Sequence, residues 1–426
     1  ILTPAFAQEN REAQLRQAVL ACVKPEIEID NDEVFYLHRV KDGQDFFFLV
    51  NPTHQKYDLT IRLLGQWYPE EWNLLTGEIT PEYVYSFQDG YTVLHKTIES
   101  VGSIMLSVTP WAGQKHLDDA SFVVTSEQDG CFSGYSRMPT QVIPVSGPFD
   151  FSHPTPNALV IDQWLAYVNE DGKTHIEIES KGFDAQMIPF RMGVWELQLP
   201  TERKDKTYPA DIAFKASFRA EYVPDDLRLL IDGFKCRAYS LYINGTPITE
   251  TPVRSYIDAE ITSVCIAPFV KRGENTIVLM MTVEERNAGL LDQLKIIGSF
   301  AVNDENALVP ETGRIALGDW TKQGYPFLSA MAQYDTDMTL PDLAGKEVFL
   351  RADVGEDIFT LQVNGKDLGA CLWNPYRINI TRALKEGRNS LSLRVANTLQ
   401  NLLRGERRKS GLYGCQLEIH DRVQEE

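Results

Sequence analysis

Short runs of alternating apolar and polar residues, broken by Gly, Asp, Asn and Pro, fill most of the chain, and a period of two predicts strands. The exception comes first. Leu15, Val19 and Cys22 recur at i, i+4 and i+7 with Ala18 beside them, which predicts a helix over 8–23, stopped by Pro25. From Val34 the period changes. "VFYLHRV" and "FFFLVNP" flank Lys41-Asp42-Gly43-Gln44, and Asp-Gly between two β-rich runs predicts a hairpin. "YDLTIRLL", "PEEWNLLTGEI" and "YTVLHKTIESVGSIMLSVTPW" add further strands, so 34–112 reads as one β-sandwich. Residues 113–186 are rich in Pro, Gly and Ser and read as a connector. Its strands "ALVIDQWLAYV" and "THIEIES", joined through Asn169-Glu170-Asp171-Gly172, are expected to join the next module.

The second half contains a repeat. "SLYINGTPI" followed by "IAPFVKRGENTIVLMMTV" matches "TLQVNGKDL" followed by "INITRALKEGRNSLSLRVAN". Both copies read strand, Asn-Gly turn, strand, a Lys-x-Gly-x-Asn turn and a final apolar strand. Asn244-Gly245 answers Asn364-Gly365, and Gly273-Glu274-Asn275 answers Gly387-Arg388-Asn389. Asn-Gly supplies the positive φ of a tight turn. The expectation is two homologous sandwiches, at 187–302 and 303–426, whose Asn244 and Asn364 turns are equivalent.

Composition narrows the function. The chain has 426 residues and a formal net charge of −19. Such a field repels nucleic acid and anionic membranes, and the basic cluster Arg404, Arg407, Arg408 and Lys409 reads as a solvated loop. No run reaches the length of a membrane span. A neutral ligand such as a glycan fits this charge. The six cysteines are widely spaced without C-x-x-C pairs and read as reduced core residues. No metal or other cofactor is expected. Ala5-Phe6-Ala7 has the small-residue spacing of a secretory cleavage site without its charged and apolar parts. Either those parts were cut off or the chain is a fragment of a longer protein; the lone helix opening an otherwise β chain makes the fragment the expectation.

Two segments combine aromatic rings with polar groups, as sugar binding requires. "GDWTKQGYPF" carries Trp320 and Tyr325, and "LWNPYR" carries Trp373, Asn374, Tyr376 and Arg377. These six are the candidate carbohydrate-binding residues. The alternative is that the rings seal the sandwich or a module interface while Arg377 pairs with a carboxylate. Asn397, Asn401 and Arg404 could reach a ligand or cap loops. Glu170 at a turn tip lacks the burial a catalytic acid needs. His38 and His95 lie in strand patterns, and no hydrolase, Walker or dinucleotide motif is present. No catalytic residue is assigned.

"VNGKDLGACLWNPYRINITRALKEGRNSLSLRVAN", with "GDWTKQGYPF" before it and "SGLYGCQLEI" after it, resembles the carboxyl-terminal sandwich of large bacterial α-L-rhamnosidase-like enzymes, near glycoside hydrolase family 106. That sandwich is similar to the sugar-binding jelly roll of family 2 glycoside hydrolases. Asn379 and Arg388 stand where Asp and Glu are commoner in that pattern. "VFYLHRVKDGQDFFFLVNPT" resembles the sandwich that follows the barrel and amidotransferase-like modules of those enzymes, making 1–33 the helical tail of a preceding module. The resemblance implies an all-β chain of three β-sandwich modules, the last two galactose-binding-like jelly rolls, with a short N-terminal helix. It also implies a non-catalytic accessory region of a bacterial periplasmic or extracellular glycosidase acting on plant or microbial polysaccharide, whose catalytic acids lie in a barrel outside this sequence. Its partners would be carbohydrate and the catalytic domain of the same parent chain. A free-standing carbohydrate-binding or adhesion protein, and a self-contained enzyme, remain open alternatives.

Overall fold

A computed structural model describes residues 14–15, 18–19, 22–169, 186–189, 209–284 and 288–425. Gln14, Leu15, Ala18 and Val19 are helical; most of the helix expected over 8–23, the turn at Glu170 and the strand "THIEIES" lie outside the described residues. The regular structure in the rest is nearly all strand, so the chain is an all-β assembly of sandwiches, as its period of two predicts.

The first sandwich pairs a four-stranded sheet with a five-stranded one. Phe35–Lys41 and Gln44–Val50 form the expected hairpin, with Lys41 opposite Gln44. Asp42 and Gly43 both have positive φ, as a two-residue hairpin turn demands. Every second residue of Tyr57–Leu64 enters the core, so Leu59, Ile61 and Leu63 pack with Phe47, Leu49 and Leu106.

The repeat is real at the level of strand order. In one copy Ala210–Ala220 pairs with Gly273–Val283, which pairs with Ala238–Ile243. In the other Met331–Leu340 pairs with Gly387–Ala396, which pairs with Ile358–Val363. Asn244 and Asn364 occupy the equivalent turns with φ of 50° and 53°. Their side chains make the same cross-links. Asn244 donates to the Phe269 carbonyl and to Asn275, at 2.9 and 2.7 Å. Asn364 donates to the Ala383 carbonyl and to Asn389, at 2.9 and 2.8 Å. Asn275 and Asn389 are fully buried, which is why the Lys-x-Gly-x-Asn turn needs this amide: it satisfies backbone groups that no strand reaches.

The segment 113–186, expected to donate strands to the next module, gives strands to two modules. Asn157–Ile161 and Gln163–Asn169 do join the middle sandwich, pairing with Leu294–Gly298 and Ala210–Ala220. Earlier strands join the last one: Gln141–Pro144 pairs with Gly414–Glu425, and Phe149–Ser152 pairs with Met331–Leu340. The hairpin Phe122–Gln128 and Cys131–Ser136 extends the same sheet. The middle sandwich is therefore nested inside the last. The chain leaves the last sandwich after Ser152 and re-enters beside it, where Asp150 faces Arg314 and the Phe151 amide donates to the Gly313 carbonyl at 2.9 Å.

Candidate functional site on the last sandwich

The loop 372–376 links strand Lys366–Cys371, in one sheet, to Arg377–Asn379, in the other. It must therefore cross the open end of the sandwich, where side chains can face solvent. Trp373 does so, with 41% of its surface exposed. Its neighbours are held. The Asn374 amide donates to the Ser100 carbonyl at 2.8 Å, reaching across to the first sandwich. The Tyr376 hydroxyl donates to the Asp357 carbonyl at 2.9 Å, and burial with the nearby Asp357 carboxylate raises that phenol above its ordinary pKa.

Arg377 is occupied on every side. Its Nε donates to Glu418 Oε2 at 2.8 Å, and its guanidinium carbon lies 3.4 Å from the Phe349 ring centroid. Nη2 lies 3.1 Å from His420 Nε2. His420 Nδ1 is 2.6 Å from the Ser136 carbonyl, which only an N–H can approach. With Nδ1 carrying that hydrogen, Nε2 is the ring nitrogen that accepts from Arg377. Arg351 stands 3.8 Å from Glu418 and 4.0 Å from Glu99, which also pairs with Lys56 at 3.0 Å. Arg377 is thus the centre of a structural network near the joint of two sandwiches, and its guanidinium does not reach out to a ligand.

Trp320 and Tyr325 require a larger correction. Trp320 is fully buried and Tyr325 only 2% exposed, both in the core of the last sandwich. Asp319 caps the short turn by accepting from the Thr321 amide at 3.0 Å, and the Trp320 amide donates to the Ser410 carbonyl at 2.9 Å. This holds the indole inward. Tyr325 packs against Phe151, ring centroids 5.0 Å apart. Neither ring can meet a sugar face without unpacking the core. Of the six candidates, the structure leaves Trp373 at the surface with Asn374 beside it.

Asn397 and Asn401 are loop braces. Asn397 bridges the Leu328 carbonyl and the Ala330 amide at 2.9 and 3.0 Å, and Asn401 bridges both backbone groups of Arg408 at 2.9 and 3.1 Å. Arg408 pairs with Asp357 at 2.8 Å, and His38 sits between Glu26 and Asp45 at 2.8 and 2.7 Å.

The reading of the sequence missed Glu418, His420, Phe349 and Ser100. One signal was present: in "CQLEIH" the alternation puts Gln416, Glu418 and His420 on one face and Leu417 and Ile419 on the other. Nothing local says that this polar face meets Arg377. That follows from the register, in which Arg351 lies opposite both Arg377 and Gln416.

No family model matches the chain, and no curated protein matches it. Solved structures with some likeness include the rhamnosidase from Novosphingobium sp. PP1Y, 14% identical with a TM-score of 0.42, the match covering 98% of this chain and 26% of that one. The Streptomyces avermitilis alpha-L-rhamnosidase complexed with L-rhamnose is 12% identical with a TM-score of 0.32, covering 94% and 40%. A GH2 beta-galacturonidase from Eisenbergiella tayi is 10% identical with a TM-score of 0.24, covering 58% and 37%. The chain spans about a quarter of the length of the first and 40% of the second. Among the described residues, no helix is long and apolar enough to cross a membrane.

Proposed function

We propose that the chain is an accessory, non-catalytic region of a bacterial glycoside hydrolase that acts on polysaccharide outside the cytoplasm. It braces the catalytic domain of the parent chain and holds carbohydrate near it. The observation that carries the binding role is the Trp373 indole. It is exposed, while the residues after it are fixed by Ser100, Asp357 and Glu418. An aromatic face held rigid in water offers a stacking surface for the C–H face of a sugar at little cost in conformational entropy.

The test is titration with oligosaccharides, read by tryptophan fluorescence and NMR. One ring and a few hydrogen bonds give a Kd on the order of millimolar, about −4 kcal/mol. Trp373→Ala removes binding with the fold intact, and nitrophenyl glycosides are turned over only at background. Undiminished binding by folded Trp373→Ala refutes the site; turnover abolished by a single Asp or Glu substitution refutes the non-catalytic role.

A further inference from the structure

The five-stranded sheet of the first sandwich runs, from edge to edge, Phe35–Lys41, Gln44–Val50, Ser103–Pro110, Trp67–Trp72 and Ile79–Pro81. Phe47, Leu49 and Leu106 lie in the core and define its inner face. Alternation then turns Phe46, Phe48 and Met105 outward. An outer face is ordinarily polar, and in the sheet opposite, Tyr57–Leu64 does turn Asp58, Thr60 and Arg62 out. The five-stranded sheet does the reverse. Leu37 lies opposite Phe48, and Phe48 opposite Met105. Glu71 opposite Leu106 sets Trp72 beside Met105, and Trp72 lies opposite Ile79. One row of large apolar side chains therefore crosses all five strands on the solvent side. Leu37 and Ile79 at its ends are 51% and 44% exposed, and Phe35, two residues before Leu37, is 64% exposed.

Such a face asks for a cover. Phe46 and Trp72 meet edge to face, 5.5 Å apart at 87°, so the rings offer no coplanar floor for a sugar chain. A second sheet fits better, since the side chains of two facing sheets interdigitate about 10 Å apart. The row reads the same from either end: aliphatic, aromatic, methionine, aromatic, aliphatic. A twofold axis along Ser103–Pro110 sets Leu37 over Ile79, Phe48 over Trp72 and Met105 over its own copy, as an isologous contact requires. The neighbouring row holds Arg39, Phe46, Ser107 and Glu70. The same axis brings Arg39 of one copy to within one strand of Glu70 in the other, so opposite charges meet beside the apolar row. Strands about 4.8 Å apart and about 20 Å long give a face of roughly 500 Å² per copy. The pair then buries about 1,000 Å² before side-chain relief is counted, which reaches the size of a specific interface.

We propose that a second copy of this chain docks here, sheet face to sheet face, in a symmetric dimer. Sedimentation equilibrium of the whole chain at tens of micromolar should give twice the mass of one chain. Leu37→Lys puts a charge into the row and should weaken the dimer about tenfold or more, with the thermal transition of the monomer in place because Leu37 is half exposed. Arg39→Glu and Glu70→Arg should each weaken the dimer, and the double swap should restore it. Within one copy these two residues stand three strands apart, about 14 Å, so only a contact between copies couples them. A dimer indifferent to Leu37→Lys, or a double swap no tighter than the single ones, overturns the assignment. A monomer at every concentration overturns it too, and leaves the face to another module of the parent chain.

Discussion

Replacing Trp320 separates a core ring from a binding ring in one series. The indole is fully buried among the side chains of the last sandwich, and its Nε1–H has no partner. Trp320→Ala loses that packing and leaves a cavity, which costs about 3–5 kcal/mol for a buried Trp. The orphaned N–H works the other way, since an unsatisfied buried donor costs the native state about 1–3 kcal/mol that any apolar replacement recovers. Trp320→Ala should therefore fall near the lower end, about 3 kcal/mol. Trp320→Phe keeps a six-membered ring and sheds the orphan, so its two effects nearly cancel and the net cost is about 1 kcal/mol or less. At roughly 2–4 °C per kcal/mol for a unit of this size, Trp320→Ala lowers the transition of the last sandwich by about 6–12 °C. Trp373→Ala, at a ring 41% exposed, should shift it by no more than about 2 °C. Differential scanning calorimetry resolves the module that moves. The reasoning fails if Trp320→Ala leaves the transition in place, if Trp320→Phe is as damaging as Trp320→Ala, or if Trp373→Ala destabilises as much as Trp320→Ala.

Glu418→Gln leaves the Arg377 charge without its main partner; with His420 and Phe349 still in contact, the cost should be about 2–3 kcal/mol in urea unfolding, and an unchanged midpoint would show the network to be idle. Asn244→Ala and Asn364→Ala each remove the same two side-chain donations at a positive-φ position, so each should cost about 2–3 kcal/mol, with the two losses alike within about 1 kcal/mol; a loss in one alone contradicts their equivalence. Burial, and the Asp292 carboxyl that hydrogen-bonds to it, push Asp232 up to about 6. The folded protein then holds a proton that the unfolded chain has released, so the contribution of Asp232 to stability is full below about pH 4 and is lost as pH rises to about 6. Asp232→Asn should flatten that part of a Tm–pH profile, and an unaltered slope would exclude the pair as its source.

The strands, the Asp42-Gly43 hairpin and the paired Asn-Gly turns were legible because their causes are local: alternation, and residues that accept positive φ. The distribution of 113–186 between two sandwiches was not, because pairing of Gln141 with Ile419 or of Phe151 with Tyr334 is decided across the whole chain. The same holds at the candidate site. Trp320 and Trp373 have similar neighbours in sequence, both with polar residues at hand. What separates them is that Tyr334, Phe149 and Phe151 build the core that encloses Trp320, while the crossing between sheets holds Trp373 outward.

The side-by-side entry and exit of the nested sandwich make it an exchangeable cassette. Since Phe151 and Gly313 already touch, with Asp150 opposite Arg314, a short bridge from Ser152 to Arg314 closes the last sandwich without residues 153–313. The host keeps all the strands it needs, and a different guest can be spliced between the same two ends. Synthesis runs in the opposite sense: the guest is complete on the ribosome before the host has received Gly414–Glu425, the strand on which Gln141–Pro144 waits to pair. Most of the guest can therefore be made while the host's first strands stay unpaired, but its core closes only when Phe327 and Leu402 of the host arrive, and the Asn157 amide ties it to the host's Gly324 carbonyl at 2.9 Å, so an error in the guest also reaches the host through this shared packing.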